Sequence, residues 1–454
     1  MRVFLVQTAH GLTPSSGGYK SNISLLRQLR SFGHKTAQLC YGTQSEVDQF
    51  VRRAVEKGVE PNLTTCHNRV IDPQGQTHDI WVKNFTSEDN VEYTVLDCDA
   101  FETAYPRVEL FYETQGYLDG EPPSERLQAL MLLFQSRILA FEPTHVIFND
   151  AFTLKLTYDM HRDLPAHGTP SPLGSAHDPF VSRFKRISII HTAEQLPFGP
   201  YSGQILGHCA SPYVEDLLLR GLDGIWTVSE ALRDYAWEWG RLPTKHLLHS
   251  TMAYLDPATG ALPLRRHNIT KFEVGMINPC PHKGLDILLA LADNMPDIQF
   301  VVWTSWGSEE EHIERMRQYS NITIEPATNN TDEIWDRIRV LIVPSVWFEA
   351  WGMVVTEAQL RGIPVIASNA GGLVEAKLGI PFCLPVNLVT GKKDEKDDYV
   401  VPPQDLSLWI DAVHVLVHGK RKTYNIFATA SYTLTRIWYQ SIGDREIEDW
   451  LLKL

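Results

Sequence analysis

VLIVPSVWFEAWGMVVTEAQLRGIPVIASNAGGLVEA, residues 340–376, is the stretch of sequence that decides the fold. Its first four residues form an apolar run ended by Pro344, which predicts a buried parallel strand. Residues from about 352 to 361 have helical spacing, and the glycine and proline that follow suit a helix end. A second apolar run at 365–367 leads into a Gly-Gly pair. The order strand, loop, helix, strand predicts an open α/β sheet, in which ligands bind beyond the carboxyl ends of the strands.

Two glutamates, Glu349 and Glu357, flank the predicted start of this helix. A helix N-terminus presents free N–H groups and the positive end of a dipole, which suits an anion such as a diphosphate. A carboxylate is repelled by phosphate but accepts hydrogen bonds from sugar hydroxyls. Eight helical steps cover roughly 12 Å, about the span from one sugar to the other across a diphosphate.

This layout predicts a sugar nucleotide with Glu357 on the ribose, Glu349 on the transferred sugar and helix amides on the diphosphate. The bland alternative is a pair of solvated glutamates beside an ordinary helix. The predicted donor-binding residues of this segment are Ala350, Trp351, Gly352, Met353, Val354 and Glu357.

The pattern P-S-x-x-x-E-x-x-G-x-x-x-x-E-A, followed by G-I-P-V-I-A-S-x-x-G-G, resembles the donor-binding signature of the family 4 retaining glycosyltransferases. The resemblance implies the α/β architecture called GT-B: two Rossmann-like domains that face each other across a cleft, and a C-terminal helix that crosses back to the first domain. In that family the second glutamate holds the ribose and the first lies by the donor sugar, which here are Glu357 and Glu349.

A Pro- and Gly-bearing polar segment at 255–270 marks the predicted domain change. We therefore expect an acceptor domain at 1–262 and a nucleotide-sugar donor domain at 263–430. The terminal helix, expected at 431–454, would pack back on the first domain.

The first domain contributes three further candidates. Gly17 and Gly18 follow the first apolar strand, where a Gly-Gly pair lets backbone amides approach a phosphate or sugar; a plain flexible turn is the equal alternative. His191 stands at the carboxyl end of a predicted buried strand, 187–190. The resemblance implies that the glycines lie against the donor phosphate and acceptor, and that His191 lies near the donor sugar.

Lys283 precedes a predicted helix at 285–293. A lysine at such a junction would neutralise charge on a departing diphosphate. The family usually has an arginine as well, in G-R-…-K-G, whereas this chain has Gly275-Met276. Lys283 and the helix amides must then carry more of the neutralisation, with Asn278 or an arginine from elsewhere as a candidate helper. The predicted catalytic residues are Glu349, His191 and Lys283.

The composition and net charge limit the classes of partner that this chain could bind. The chain has 454 residues, 43% of them hydrophobic, and a formal net charge of −14, which argues against nucleic acid or an anionic membrane surface as a partner. Six scattered cysteines include no C-x-x-C, and no apolar stretch approaches the roughly 20 residues of a membrane helix. We interpret the lone D-x-D at 97–99 as a chance occurrence. The segment 161–184 is predicted to be a long loop. We expect a cytoplasmic protein without a metal, cofactor, signal peptide or membrane insertion; its oligomeric state is open.

The leading prediction is a retaining, metal-independent hexosyltransferase. It would move a sugar from a nucleotide-diphosphate donor, with UDP-sugar as the first expectation, to a small-molecule or glycan acceptor. One alternative is a catalytically impaired nucleotide-sugar-binding protein, for which the absent arginine is the best support. Another is a nucleotide-sugar epimerase or hydrolase on the same fold.

Overall fold

The computed structural model describes most of the chain, namely residues 1–12, 17–71, 77–97, 105–163, 184–203, 209–256, 259–328, 330–395 and 399–454. Asp99 of the D-x-D, residues 13–16 before the Gly17-Gly18 pair, and most of the predicted 161–184 loop lie outside these ranges. The described residues divide into two compact units. Unit 1 comprises Met1–Val228, Arg233–Ala253 and Arg445–Leu454, and unit 2 comprises Ser229–Leu232 and Tyr254–Asp444.

Unit 1 is built on a nine-stranded sheet of order β3-β4-β5-β2-β1-β6-β7-β8-β9. The pairs β3–β4 and β4–β5 are antiparallel, and the other neighbours are parallel. The central strands are apolar and buried, as their sequence predicts. Strands β1 to β9 are Arg2–His10, Lys35–Gly42, Thr64–Ile71, Thr77–Thr86, Glu92–Asp97, His145–Phe148, Lys185–Ile190, Gly224–Thr227 and Lys245–His246. Helices α1 to α7 are Gly17–Ser31, Gln44–Glu56, Arg107–Asp119, Glu125–Phe141, Ala151–Asp163, Pro212–Leu219 and Glu230–Gly240.

Unit 2 is built on a six-stranded, fully parallel sheet of order β12-β11-β10-β13-β14-β15. Strands β10 to β15 are Glu273–Ile277, Phe300–Trp303, Ile322–Glu325, Ile338–Val343, Val365–Ser368 and Cys383–Leu384. Helices α8 to α14 are Leu285–Asn294, Glu310–Arg317, Thr331–Trp335, Met353–Leu360, Leu373–Ala376, Ser407–Val417 and Arg421–Ser441. If the six strands are numbered 1 to 6 along the chain, their order in the sheet is 3-2-1-4-5-6, the doubly wound arrangement. The strands are added in one direction from β10 to β12 and in the other direction from β13 to β15, so the order reverses between β10 and β13. Ligands of such sheets bind at that reversal, beyond the strand ends.

The structure divides the chain at other residues than the expected 262/263 and 430/431. Unit 2 begins at Tyr254, and it keeps α14, whose inner face is buried against the rest of the unit; for example, Gln359 donates to Thr435 Oγ1 at 3.4 Å. The terminal helix expected at 431–454 is the end of α14 and a separate short helix, because the chain leaves helical geometry after Ser441. The last helix, α15 (Glu446–Leu451), belongs to unit 1.

Two polar contacts hold α15 within unit 1. His34 Nε2 lies 2.6 Å from Glu448 Oε1, and His145 Nε2 lies 2.9 Å from the carbonyl oxygen of Leu451. Both partners on the helix are buried, so this short helix is an integral part of the unit. Within the described ranges, no helix combines the length and the apolar character needed to cross a membrane.

A buried lysine follows α12 in unit 2. Lys377 is almost inaccessible to solvent, and its ammonium group donates to the carbonyl oxygen of Val365 on β14 at 2.5 Å. Burial lowers the pKa of Lys377 to about 7, because the lost hydration destabilises the ammonium more than its hydrogen bond to one carbonyl oxygen stabilises it.

We predict that Lys377→Met flattens the pH dependence of stability between pH 7 and 10.5. In this window the lysine is neutral in the folded chain and protonated in the unfolded chain, whose pKa is the ordinary 10.5. The unfolded state therefore binds more protons, and stability rises with pH by up to about 1.4 kcal/mol per pH unit. Thermal unfolding of both proteins across this window tests the prediction. An equal rise of the midpoints in wild type and variant would contradict it.

Candidate functional site

The loops after β10 and β13 meet at the reversal point of the unit 2 sheet. The loop after β10 ends in a short 3-10 turn, Pro281–Lys283, and then Gly284 leads into α8. The backbone N–H of Val346, in the loop after β13, donates to the carbonyl oxygen of His282 at 3.0 Å. Two loops that are distant in sequence are thus joined through their backbones.

Gly284 allows the close approach of these loops. Its φ is +90°, in the left-handed region, and a Cβ at this position would overlap the backbone carbonyl of Pro344. Any other residue would be strained and would push the two loops apart. The glycine therefore sets the distance between Lys283 and the loop that carries Glu349.

Lys283 and Glu349 form an ion pair across these loops. The ammonium of Lys283 and the hydroxyl of Ser345 both donate to Oε1 of Glu349. Among the described residues no donor engages the other carboxylate oxygen, Oε2, and no arginine pairs with this glutamate. Burial acts to raise the pKa of Glu349, but Lys283 and Ser345 outweigh it and hold the pKa below its usual range.

The helix α11 begins directly after the loop that follows β13 and carries Glu349, which we call the glutamate loop. The residue before it, Gly352, has φ +91°, and no side chain caps the helix. The backbone N–H groups of Gly352, Met353 and Val354 have no hydrogen-bond acceptor within the described ranges. These N–H groups and the helix dipole form a positive site for an anion. The predicted helix start at residue 352 is therefore one residue early, and Gly352 lies at its N-cap.

The Gly-Gly pair after β14 packs against the backbone of the glutamate loop. The N–H of Gly372 donates to the carbonyl oxygen of Glu349 at 2.7 Å, and a Cβ on Gly372 would overlap the backbone of Ala350. Ala350 is half-buried at this contact. Glu357 lies on α11, half-buried, and the carbonyl oxygen of its own residue accepts a hydrogen bond from Arg361 at 3.0 Å.

Asn278 has a role in the turn itself. It adopts φ +57° directly after β10, its N–H donates to Trp303 O at 2.8 Å, and its Oδ1 accepts from the N–H of Gly307 at 3.0 Å. Its side-chain oxygen is thus engaged by the neighbouring loop after β11.

The described residues contain no group of three or more His, Cys, Asp or Glu side chains placed to hold a metal ion.

His191 is the centre of a polar chain in unit 1. Its backbone N–H donates to Gln195 Oε1 at 2.6 Å, and its ring Nε2 lies 2.8 Å from Asn22 Oδ1. Asn22 in turn donates from Nδ2 to Gln7 Oε1 at 3.0 Å. This orientation of the Asn22 amide assigns the proton of the imidazole to Nε2 and leaves Nδ1 as an acceptor. Burial lowers the pKa of His191 to about 4, so the ring is neutral at pH 7.

Gly18 lies next to this histidine, and Gly17 and Gly18 are part of a helix rather than of a turn. Both are the first residues of α1, because the helix begins at Gly17. A Cβ on Gly18 would lie 3.3 Å from Cγ of His191, so the bare backbone of the first helical turn packs against the imidazole. The structure therefore brings Gly18 and His191 together, as it does Lys283 and Glu349 in unit 2.

Comparison with known families agrees with the geometry of unit 2. Residues 272–418 match the family model described as "Glycosyl transferases group 1". Over these residues the chain is similar to group 1 glycosyltransferases. No curated protein sequence matches the chain.

Solved structures match over the whole chain. Sucrose-phosphate synthase of Thermosynechococcus elongatus is 16% identical, with 100% of this chain and 97% of that chain covered and a TM-score of 0.62. The catalytic domain of Arabidopsis thaliana starch synthase IV, bound to ADP and acarbose, is 15% identical, with 100% and 99% covered and a TM-score of 0.62. Anabaena HepE, in complex with UDP and glucose, is 14% identical, with 100% of both chains covered and a TM-score of 0.57. At these identities the likeness establishes the fold, which is GT-B.

The tryptophans near the candidate site differ in exposure. Trp303 and Trp347 are buried, and so is Trp351, whose Nε1 donates to Tyr254 Oη at 3.0 Å while its ring stacks on Trp438 at 5.7 Å. Trp306, by contrast, is 60% exposed and stacks on the ring of His282 at 5.8 Å. Core packing therefore accounts for three of these four side chains, and Trp306 presents a ring to solvent.

Sequence reasoning missed two residues that contact the predicted catalytic ones. Ser345 bonds Glu349 from four positions earlier in the same P-S-x-x-x-E pattern, a proximity that the motif itself could have suggested. Asn22 lies one helical turn after Gly18 and bonds His191. That contact joins residues 169 positions apart, and no local pattern indicates it.

We predict that Gly284→Ala destabilises unit 2 by about 2–5 kcal/mol, because left-handed backbone strain adds to overlap with Pro344. Gly379→Ala is the matched control: its φ is +72°, but a Cβ there would meet nothing within 4 Å. We expect the control to lose about 1–2 kcal/mol, from backbone strain alone. Urea unfolding followed by circular dichroism measures both. Equal losses would show that the contact with Pro344 is unimportant.

Proposed function

We propose that this protein is a family 4 retaining glycosyltransferase that transfers a hexose from a nucleotide-diphosphate donor to an acceptor without a metal. The observation that carries the proposal is the arrangement at the reversal point of the unit 2 sheet. There a lysine ammonium lies beside a half-buried, ionised glutamate, and the helix N-terminus that follows has N–H groups without an acceptor among the described residues. The match to group 1 glycosyltransferases includes all of these residues.

The chemistry requires charge stabilisation at two places. The bond between the anomeric carbon and the β-phosphate oxygen breaks, and the electron pair leaves with the nucleoside diphosphate. An acceptor nucleophile bonds to the same carbon, and its proton passes to the departing diphosphate. Lys283 and the amides of residues 351–354 would stabilise the negative leaving group, and Glu349 the positive charge that develops on the sugar.

Glu357 would bind the ribose hydroxyls, since it is the acidic residue that the helix presents beyond its N–H groups. In unit 1, His191 is proposed as a neutral hydrogen-bonding partner for a sugar hydroxyl, which its lowered pKa supports. The amides of Gly17 and Gly18, at the start of α1, are proposed to approach a phosphate or sugar. Asn278 would contribute only its amide nitrogen to the donor, since its Oδ1 accepts from Gly307.

A UDP-sugar is the proposed donor, with a small molecule or glycan as acceptor. Support comes from the Anabaena HepE structures, whose ligands include UDP and UDP-glucose. A mutant of S. aureus TarM, solved in complex with Fondaparinux, α-GlcNAc-glycerol and UDP, has the same fold at 12% identity. Starch synthase IV carries ADP instead, so the base is a variable to test.

The absent arginine favours a second candidate, a nucleotide-sugar-binding protein without transfer activity. Glu349 pairs with Lys283 and with no arginine of the described residues. One experiment separates the candidates: incubation with UDP-, ADP- and GDP-sugars and a panel of acceptors, with and without EDTA. Transfer that survives EDTA supports the proposal. Binding without nucleotide release identifies the binding protein, and release without an acceptor product identifies a hydrolase.

We predict that Glu357→Ala raises the dissociation constant of the nucleotide-sugar donor about 10- to 100-fold, the effect of losing hydrogen bonds to a charged group. Isothermal titration calorimetry measures this directly. The control is Glu314→Ala, which removes an exposed glutamate paired with Arg317 on the surface helix α9. The control should bind as wild type does. Unchanged donor affinity in Glu357→Ala would overturn the assignment of this glutamate to the ribose.

A further inference from the structure

Glu349 is held by one of its two carboxylate oxygens. Lys283 and Ser345 both donate to Oε1, while Oε2 accepts no hydrogen bond from the described residues. A carboxylate fixed through one oxygen presents the other in a defined direction. The two donors, however, differ in how firmly they are held.

Ser345 is fixed on every side. It is 0% exposed, and its carbonyl oxygen accepts a hydrogen bond from the hydroxyl of Ser368, on the adjacent strand β14, at 2.6 Å. Ser368 is itself buried. The backbone of Ser345 is thus bonded to the neighbouring strand, and its hydroxyl donates to Oε1 of Glu349.

Lys283 is the donor with the longer and more flexible side chain. It is a point charge on a flexible stem, and 26% of its side chain is exposed, against 14% for Glu349. In the proposed reaction this ammonium must also neutralise the diphosphate. One lysine then serves two anions, and a buried carboxylate that loses its cation without another donor is strongly destabilised.

We propose that Ser345 is the positioning residue that keeps Oε1 of Glu349 in place while Lys283 turns from Glu349 to the donor diphosphate. Oε2 is then the oxygen that accepts a hydrogen bond from the transferred sugar. This inference rests on the proposed function, because it assigns the diphosphate to Lys283. It explains why a serine hydroxyl and a lysine are directed at the same oxygen.

The test is Ser345→Ala. We expect kcat to fall about 10- to 100-fold, as for loss of a hydrogen bond to a charged group, while the dissociation constant of the nucleoside diphosphate changes less than about threefold. The acid limb of the kcat profile should move to higher pH, because the hydroxyl helps to keep the pKa of Glu349 low. Lys283→Met should instead weaken diphosphate binding about tenfold or more.

Ser431→Ala is the matched control. Ser431 is also fully buried in unit 2, but its hydroxyl has no hydrogen-bond partner among the described residues. Its removal should leave kcat, diphosphate binding and the pH profile unchanged. Ser368→Ala keeps the Ser345 hydroxyl but removes its support, and we expect an intermediate loss of kcat.

A second measurement uses the wild-type protein and needs no variant to fold. In crystals soaked with the nucleotide sugar, Nζ of Lys283 should contact a phosphate oxygen while Ser345 still donates to Oε1 of Glu349. Lys283 remaining on Glu349, or Ser345 turned away, would overturn the inference. Wild-type turnover with an unchanged kcat in Ser345→Ala would overturn this inference alone. Absence of turnover with every donor would overturn the proposed function.

Discussion

The ion pair between Lys283 and Glu349 is the contact on which the candidate site depends. It joins the loops after the two strands between which the unit 2 sheet reverses its winding. The backbone makes this pairing possible: Gly284 abuts Pro344, and Val346 bonds the carbonyl oxygen of His282. The loops would be this close even without the charges. The ion pair therefore forms within a frame that the backbone has already built, which is the preorganisation that electrostatic catalysis requires.

The loop that carries Glu349 is bonded on both sides where it meets α11. On one side it is bonded to the loop after β10, and on the other the Gly-Gly turn after β14 donates to the carbonyl oxygen of Glu349. Trp351 anchors the loop in the unit 2 core by stacking on Trp438. The amides at the helix start are consequently fixed in direction while they remain free of acceptors in the described part of the chain.

The apolar periodicity and the positions of glycine and proline predicted the strands and the helix within residues 340–376. This was possible because burial on both faces of a parallel sheet demands continuous apolar runs. Gly362, with φ +73°, ends α11 where the sequence placed the helix end. The break between Ser441 and Glu446 contains Gly443 and Asp444, a turn signal that the sequence analysis did not use. Which unit buries each of the two helices, by contrast, depends on the tertiary fold. Asn22 was missed for the same reason: its contact with His191 joins elements that only the tertiary fold brings together.

The absent arginine makes the charge balance of the site a constraint on everything around it. Because Lys283 and Glu349 form an ion pair, their charges offset each other, and the start of α11 adds positive potential of its own. A doubly charged diphosphate gains most if it draws Lys283 away from Glu349. The carboxylate then needs donors that do not move, and the hydroxyl of Ser345 is the donor that the strand backbone holds in place. A site with two cations would have no such need, since one could remain with the glutamate while the other met the phosphate.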